Sequence, residues 1–181
     1  ETYITSDIHV VEDINKDWNG VCYHSFGIAH AKGASRGVSI LIKKNTPVKL
    51  LEQKIHEDGR TLIVNCEISG TKFTLVSIYA PNRVTERVNY FARLKQSLKD
   101  IDVYSIIMGG EFNTVMDKLL DKKGGRPAET ESSKALTKYV INHFGLIDHW
   151  RSKNPEEKYF THKLNNPLIL TRISSDIIPS V

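Results

Sequence analysis

The chain has 181 residues, 40% of them apolar, and 25 Lys and Arg against 21 Asp and Glu give a formal charge of +4. That length and composition fit one core and one domain, 1–181, while the charge is too small and too dispersed to establish a nucleic-acid partner alone, although it does not oppose a polyanion. No run approaches the roughly 18 apolar residues of a membrane span, the N-terminus has no secretory pattern, and Cys22 and Cys66 have no CxxC or Cys/His spacing, which gives no support to zinc and fits a reducing, nuclear or cytoplasmic setting.

In chain order, "GVSILIKK" (37–44), "VKLLEQKI" (48–55), "TLIVNCEIS" (61–69) and "KFTLVSIYA" (72–80) have the alternation and β-branched content of strands. "EDGR" (57–60) and "SGTK" (69–72) supply turn chemistry, so these segments predict an antiparallel meander. Val84, Val88, Phe91, Leu94 and Leu98 then repeat on one helical face, with Thr85 as the expected cap. "VYSIIMGG" (103–110) predicts a strand buried on both faces. A polar loop over 121–133 leads to a second helix carrying Leu136, Tyr139, Val140, His143 and Phe144 and ending at Gly145. Meander, helix, strand and helix make an α/β layered order.

Two strand ends stand out. In "YAPN", Pro81 cannot donate to a ladder and biases Ala80 to an extended shape, which projects Tyr79 and Asn82 from the lip. Alone, the same residues serve equally as a strand terminator with a turn-forming Asn. In "GGEFN", the glycines allow close backbone approach, and Glu111 and Asn113 share a side if the extended form continues. Strand-end loops are where α/β sheets gather ligand sites, but Glu111 alone could simply begin a solvated loop.

Taken together, "ET" (1–2), "RGVSILIK" (36–43), "VSIYAPN" (76–82), "IIMGGEFN" (106–113), "DHWR" (148–151), "YFTH" (159–162) and "TRI" (171–173) resemble the endonuclease/exonuclease/phosphatase superfamily. Within it, the likeness is to the apurinic/apyrimidinic-like endonuclease domain of LINE-type non-LTR retrotransposons, over nearly the whole chain. The resemblance implies a four-layered α/β sandwich (DNase I-like), here missing its first strand and a late strand. It implies Mg2+- or Mn2+-dependent hydrolysis of DNA phosphodiesters, used to nick a target for reverse transcription, by a monomeric, membrane-free domain of a longer polyprotein with a reverse transcriptase. Other superfamily members act on other phosphodiesters, and a relic that binds nucleic acid without cutting it is the alternative state for this copy.

By that resemblance Glu1 matches the metal-binding Glu of "QET", and Tyr79 the phosphate-side Tyr of "YAPN", with Asn82 a supporting residue beside it. Glu111 stands where the family has the water-orienting Asp of "GDFN", and Asn113 matches that motif's Asn. Arg172 matches the Arg of "SRID" and Thr161 the Thr supporting the DNA-facing surface; Arg126, in the loop after "LLDKKGG", is a candidate phosphate contact, although a surface Arg is more often simply solvated. The chain departs from the pattern in four places: the strand before Glu1, the extra methylene of Glu111, Ser174 at the Asp position of "SRID", and the closing "SDH" with its His. These departures predict impaired cleavage and a chain incomplete at both ends, with a stretch skipped between Ile173 and Ser174.

Overall fold

The computed structural model describes residues 8–30, 33–121, 130–158 and 168–172; for 8–10, 28–30, 33–35, 118 and 168–172 it describes the backbone alone. The chain forms two compact units, Glu1–Tyr79 and Ala80–Val181.

In the first unit, helix α1 (Ile8–Trp18) leads into β1 (Gly20–Ser25), which pairs antiparallel with β4 (Val38–Lys43); short β2 (Ile28–His30) and β3 (Gly33–Ser35) pair between them. Neither α1 nor β1 was predicted, although Ile8, Val11, Ile14 and Trp18 recur at helical spacing through α1. Trp18 is fixed there by a hydrogen bond from Nε1 to the Ile42 carbonyl, 3.1 Å. The meander is present as predicted: β5 (Val48–Ile55), β6 (Thr61–Ile68) and β7 (Thr71–Tyr79) pair antiparallel in succession. Ser69 and Gly70 both adopt positive φ, the form that closes a tight hairpin in keeping with strand twist.

Side-chain alternation explains how these strands become two layers. Leu62, Val64 and Cys66 project from one face of β6 and are buried with Val38 of β4, flanked by Tyr23, Ile40, Phe73 and Leu75, so the β1–β4 pair packs on the meander. Asn65 projects from the opposite face and is buried; its Oδ1 accepts from Thr74 Oγ1 at 2.8 Å.

His24 at the end of β1 is 8% exposed, shares a 2.8 Å hydrogen bond with Ser39 Oγ through Nδ1, and has no partner for Nε2 among the described residues. Burial lowers its pKa from the ordinary 6.5, so folding favours the neutral ring. Its contribution to stability is therefore present above pH 6.5 and lost as pH falls through the lower folded value. Chemical denaturation across pH 7 to roughly 5 is expected to show stability falling with pH, with a flatter profile for His24→Gln. Equal slopes in the two proteins would contradict the assignment.

In the second unit, α2 (Val84–Lys99) buries Tyr90, Phe91, Leu94 and Leu98, as its periodicity predicts. Val84, expected on that face, is 41% exposed because it opens the helix before the packed turns begin. The Thr85 cap is also corrected: Arg83 occupies the cap position and makes no side-chain cap bond, while Thr85 already lies inside the first turn. Strand β8 (Ser105–Glu111) buries Ile106 and Met108, but Ile107 is 37% exposed, so one face is covered and not both. β8 pairs antiparallel with β10 (Leu168–Arg172), which pairs with β9 (Ile147–Asp148).

The expected loop through 133 is shorter than predicted. Helix α3 (Lys118–Asp121) occupies its start, and Thr130 caps α4 (Glu131–Leu136) through a reciprocal box with Ser133, a serine standing in for the usual Glu or Gln. α4 runs through a π-helical segment, Thr137–Ile141, into α5 (Asn142–Phe144), and Gly145 ends it at φ 62° as predicted. Leu136, Val140 and Phe144 are buried. His143 is exposed, contrary to its predicted place on the apolar face, because the buried stripe advances four residues at a time and passes beside it.

Candidate active site

Strand β7 ends at Tyr79, half-buried and gripped within its own unit by Arg60. The Tyr79 N–H donates to the Arg60 carbonyl at 2.8 Å, Arg60 Nη1 donates back to the Tyr79 carbonyl at 3.1 Å, and the guanidinium carbon lies 5.0 Å from the ring centroid. Such a cation over the ring face fixes the aromatic's orientation.

In the second unit, backbone and side-chain bonds join the turn after Tyr79 to the end of β8. The Ala80 N–H donates to the Glu111 carbonyl at 2.8 Å. Asn113 Nδ2 donates to the Ala80 carbonyl at 2.7 Å and to Asn82 Oδ1 at 2.9 Å. Asn82, Glu111 and Asn113 are thus brought together, as the motifs predict. The geometry differs from the extended continuation expected from "GGEFN": Gly110 has φ 130° and Asn113 φ 51°, so the chain turns sharply instead of alternating. Asn tolerates the left-handed region better than most non-glycine residues. Within this turn the exposed Glu111 folds back, its Oε1 accepting from the Asn113 N–H at 3.0 Å.

Arg87 is the residue sequence reasoning missed. It is 7% exposed, and Nη1 donates to the Pro81 carbonyl at 2.9 Å and the Asn82 carbonyl at 2.7 Å, while Nη2 reaches Ser132 Oγ at 3.4 Å. Burial lowers its pKa from the ordinary guanidinium value. Ser132 also contacts Thr114 Oγ1 at 3.2 Å and Thr130 Oγ1 at 3.0 Å, which ties the segment after Asn113 to the cap of α4. The available signal was a charged residue four positions before Phe91 in an otherwise apolar stripe.

The "DHWR" stretch has a positioning role. Asp148 caps α6 (His149–Lys153) by accepting from the Arg151 N–H at 2.9 Å. Arg151 forms a largely buried ion pair with Asp121 and donates through Nη1 to the carbonyls of Asn154 at 2.9 Å and Glu157 at 2.7 Å. It thereby anchors α3, whose first turn Asp117 caps at Leu119 and Leu120.

Glu1, Arg126 and Thr161 lie outside the described residues. Arg172 is described by its backbone, which pairs with Ile106, four register steps from the Leu168–Gly110 pair beside the turn. Among the described residues no group of three or more His, Cys, Asp or Glu converges on a metal position. Glu111 Oε2 and Asn113 Oδ1 are oxygen donors without a hydrogen bond among the described residues. That donor chemistry suits Mg2+ or Mn2+ and disfavours soft ions.

No family model matches the chain. Over 163 residues, 90% of the chain, it is 29% identical to the Transposon TX1 uncharacterized 149 kDa protein of Xenopus laevis, of which it spans 12%. Among solved structures, the Xenopus laevis APE2 catalytic domain has a TM-score of 0.62 at 15% identity, with 94% of this chain and 71% of that one covered. Danio rerio TDP2 complexed with a single-strand DNA product has a TM-score of 0.59 at 15% identity, covering 95% and 70%. An endonuclease/exonuclease/phosphatase family protein from Bacteroides thetaiotaomicron has a TM-score of 0.56 at 13% identity, covering 91% and 64%. The chain therefore shares the mixed α/β, DNase I-like fold of these structures, and nine-tenths of it is similar in sequence to a transposon protein of which it spans about one eighth.

Proposed function

We propose that the chain is the phosphodiester-hydrolysing domain of a transposon-encoded polyprotein and that its substrate is DNA, nicked to expose a primer for reverse transcription. The observation that carries the reading is the hydrogen-bonded joining of Asn82, Glu111 and Asn113 at the ends of two segments whose motifs resemble those of superfamily nucleases. The transposon kinship supports the polyprotein context, and the fold shared with a DNA-complexed TDP2 supports the substrate class.

In this reading Glu111 orients the attacking water through the carboxylate oxygen not held by Asn113, and Asn113, whose two amide N–H groups are spent on Ala80 and Asn82, keeps its Oδ1 as an acceptor for the metal ion or the water. Tyr79, braced by Arg60, donates to a phosphoryl oxygen. Arg126, Thr161 and Arg172 contact the nucleic-acid backbone. The carboxylate and amide oxygens of Glu111 and Asn113 would hold a divalent cation, and by its motif Glu1 is a metal ligand as well; when bound, the ion would neutralise charge on the phosphate.

Nicking of supercoiled plasmid with Mg2+, set beside release of phosphate from inositol lipids, tests the substrate class. Relaxed circles are expected from the wild-type chain, at least tenfold fewer from Asn113→Ala, and no lipid turnover. Lipid turnover without nicking would overturn the reading. A second reading, binding without cutting, is favoured by one observation: the Glu111 carboxylate is turned onto its own loop. Salt-sensitive DNA binding with no nicking under any divalent cation would select it.

A further inference from the structure

A second concentration of charge lies on the helices of the second unit. α2 presents Lys95 and Lys99 four positions apart, on one face and about 6 Å apart along the axis. The π-helical segment that packs against α2 contributes Lys138 and Tyr139, and His143 follows one turn later. Lys95 Nζ stands 5.9 Å and Lys138 Nζ 5.4 Å from the Tyr139 ring centroid, so one aromatic holds a lysine from each helix. His143 meets Phe144 edge-on at 4.8 Å. Partial loss of water, then the charges of Lys95 and Lys99, lower its pKa from 6.5.

The acids on these helices are engaged elsewhere: Glu86 with Arg83 at 3.7 Å, Glu131 with Lys134 at 3.3 Å, and Asp100 with Gln96 at 2.7 Å. Among the described residues no carboxylate lies within ion-pair distance of Lys95, Lys99 or Lys138. Like charges gathered without a counter-charge repel one another, and a polyanion laid across them removes that cost.

We infer that this helical face binds the phosphate backbone of a nucleic acid. Lysines interleaved with Tyr139 and His143 have the charged and aromatic make-up that single strands and duplexes both meet on proteins. A lipid surface fits poorly, because Val84, at the far end of α2, is the one exposed large apolar side chain on these helices among the described residues. Lys99 is also about 18 Å along α2 from Arg87, which braces the "YAPN" turn. The nucleic acid held here is therefore a stretch other than the phosphodiester at Glu111, and the inference stands without the cleavage reading.

Anisotropy titrations over a salt series, with a labelled DNA duplex and a labelled single-stranded RNA, compare the wild-type chain with the triple variant Lys95→Gln/Lys99→Gln/Lys138→Gln. The triple variant is expected to bind at least one of them at least tenfold more weakly at low salt. On the duplex, its slope of log affinity against log salt should fall by about 2 to 3, since each phosphate contact contributes roughly 0.9. A greater loss on RNA assigns the face to transcript, and a greater loss on the duplex to target DNA. Should the triple variant unfold, Lys99→Gln removes an exposed side chain and should lower the duplex slope by about 1. Wild-type affinity and slope on both nucleic acids in a folded variant overturn the inference. So does equally tight binding of polyglutamate, which would mark a surface for acidic protein. Failure to nick plasmid with the salt slope intact counts against the cleavage site alone.

Discussion

Replacing Arg87 with Met should destabilise the chain by about 3 kcal/mol, because the buried Pro81 carbonyl is orphaned at a cost of roughly 1–3 kcal/mol and the part-buried Asn82 carbonyl loses a charged donor. Part of that loss is offset. Arg87 Nε has no partner among the described residues, and an apolar side chain of similar length removes the cost of burying a charge. The Pro81 carbonyl decides the sign, since its bond to Arg87 is the buried one. In a chain of this size the thermal midpoint should fall by roughly 6–12 °C. Arg87→Lys should recover only part, because one ammonium cannot reproduce the planar fork that reaches both carbonyls and Ser132. Thermal and urea unfolding read this directly, and a Met variant as stable as the wild-type chain would show that the turn holds without its guanidinium.

The largest effect on activity is expected at Glu111. Shortening it to Asp withdraws the carboxylate by one methylene, and a displacement of about 1 Å in a positioned group is worth on the order of 100-fold in rate. Glu111→Asp should therefore nick supercoiled plasmid up to about 100-fold faster than the wild-type chain in Mg2+. Glu111→Gln, which keeps the length and loses the charge, should fall below it. The pair of variants separates reach from charge. An Asp variant no faster than wild type, with Gln equally active, would remove Glu111 from the chemistry.

What was legible in the sequence follows from what each signal encodes. Phe91, Leu94 and Leu98 carry the helical repeat in their own spacing, and Leu62, Val64 and Cys66 announce a strand by alternation, so α2 and the meander were readable. Arg87 was not. Its acceptors are backbone carbonyls five and six residues earlier, and nothing in residue type marks a carbonyl as needing a donor. The turn at Asn113 was half-readable: the glycines signalled a change of direction, but the sign of φ at Asn113 depends on the amide bonds to Ala80 and Asn82. Resemblance joined "YAPN" to "GGEFN" across about 30 residues where periodicity could not, and the Ala80–Glu111 hydrogen bond is the physical form of that link.

The π-helical segment Thr137–Ile141 gives the chain a freedom of another kind. An ordinary α-helix turns a little too far for residues four apart to stack in line, so Leu136, Val140 and Phe144 would spiral slowly around it. The wider turn absorbs one residue, so Leu136 and Phe144, eight positions apart, take nearly the phase that seven give in a regular helix, and both are buried with Val140. Removing a single residue from that segment would restore a regular helix with Leu136 and Phe144 seven positions apart, about 20° from in line, so Phe144 would keep its place on the core and only the widened turn carrying Lys138 and Tyr139 would be lost. Length is therefore more negotiable at this turn than anywhere else in the helix: a residue lost elsewhere rotates all that follows by about 100°, whereas one lost here is absorbed.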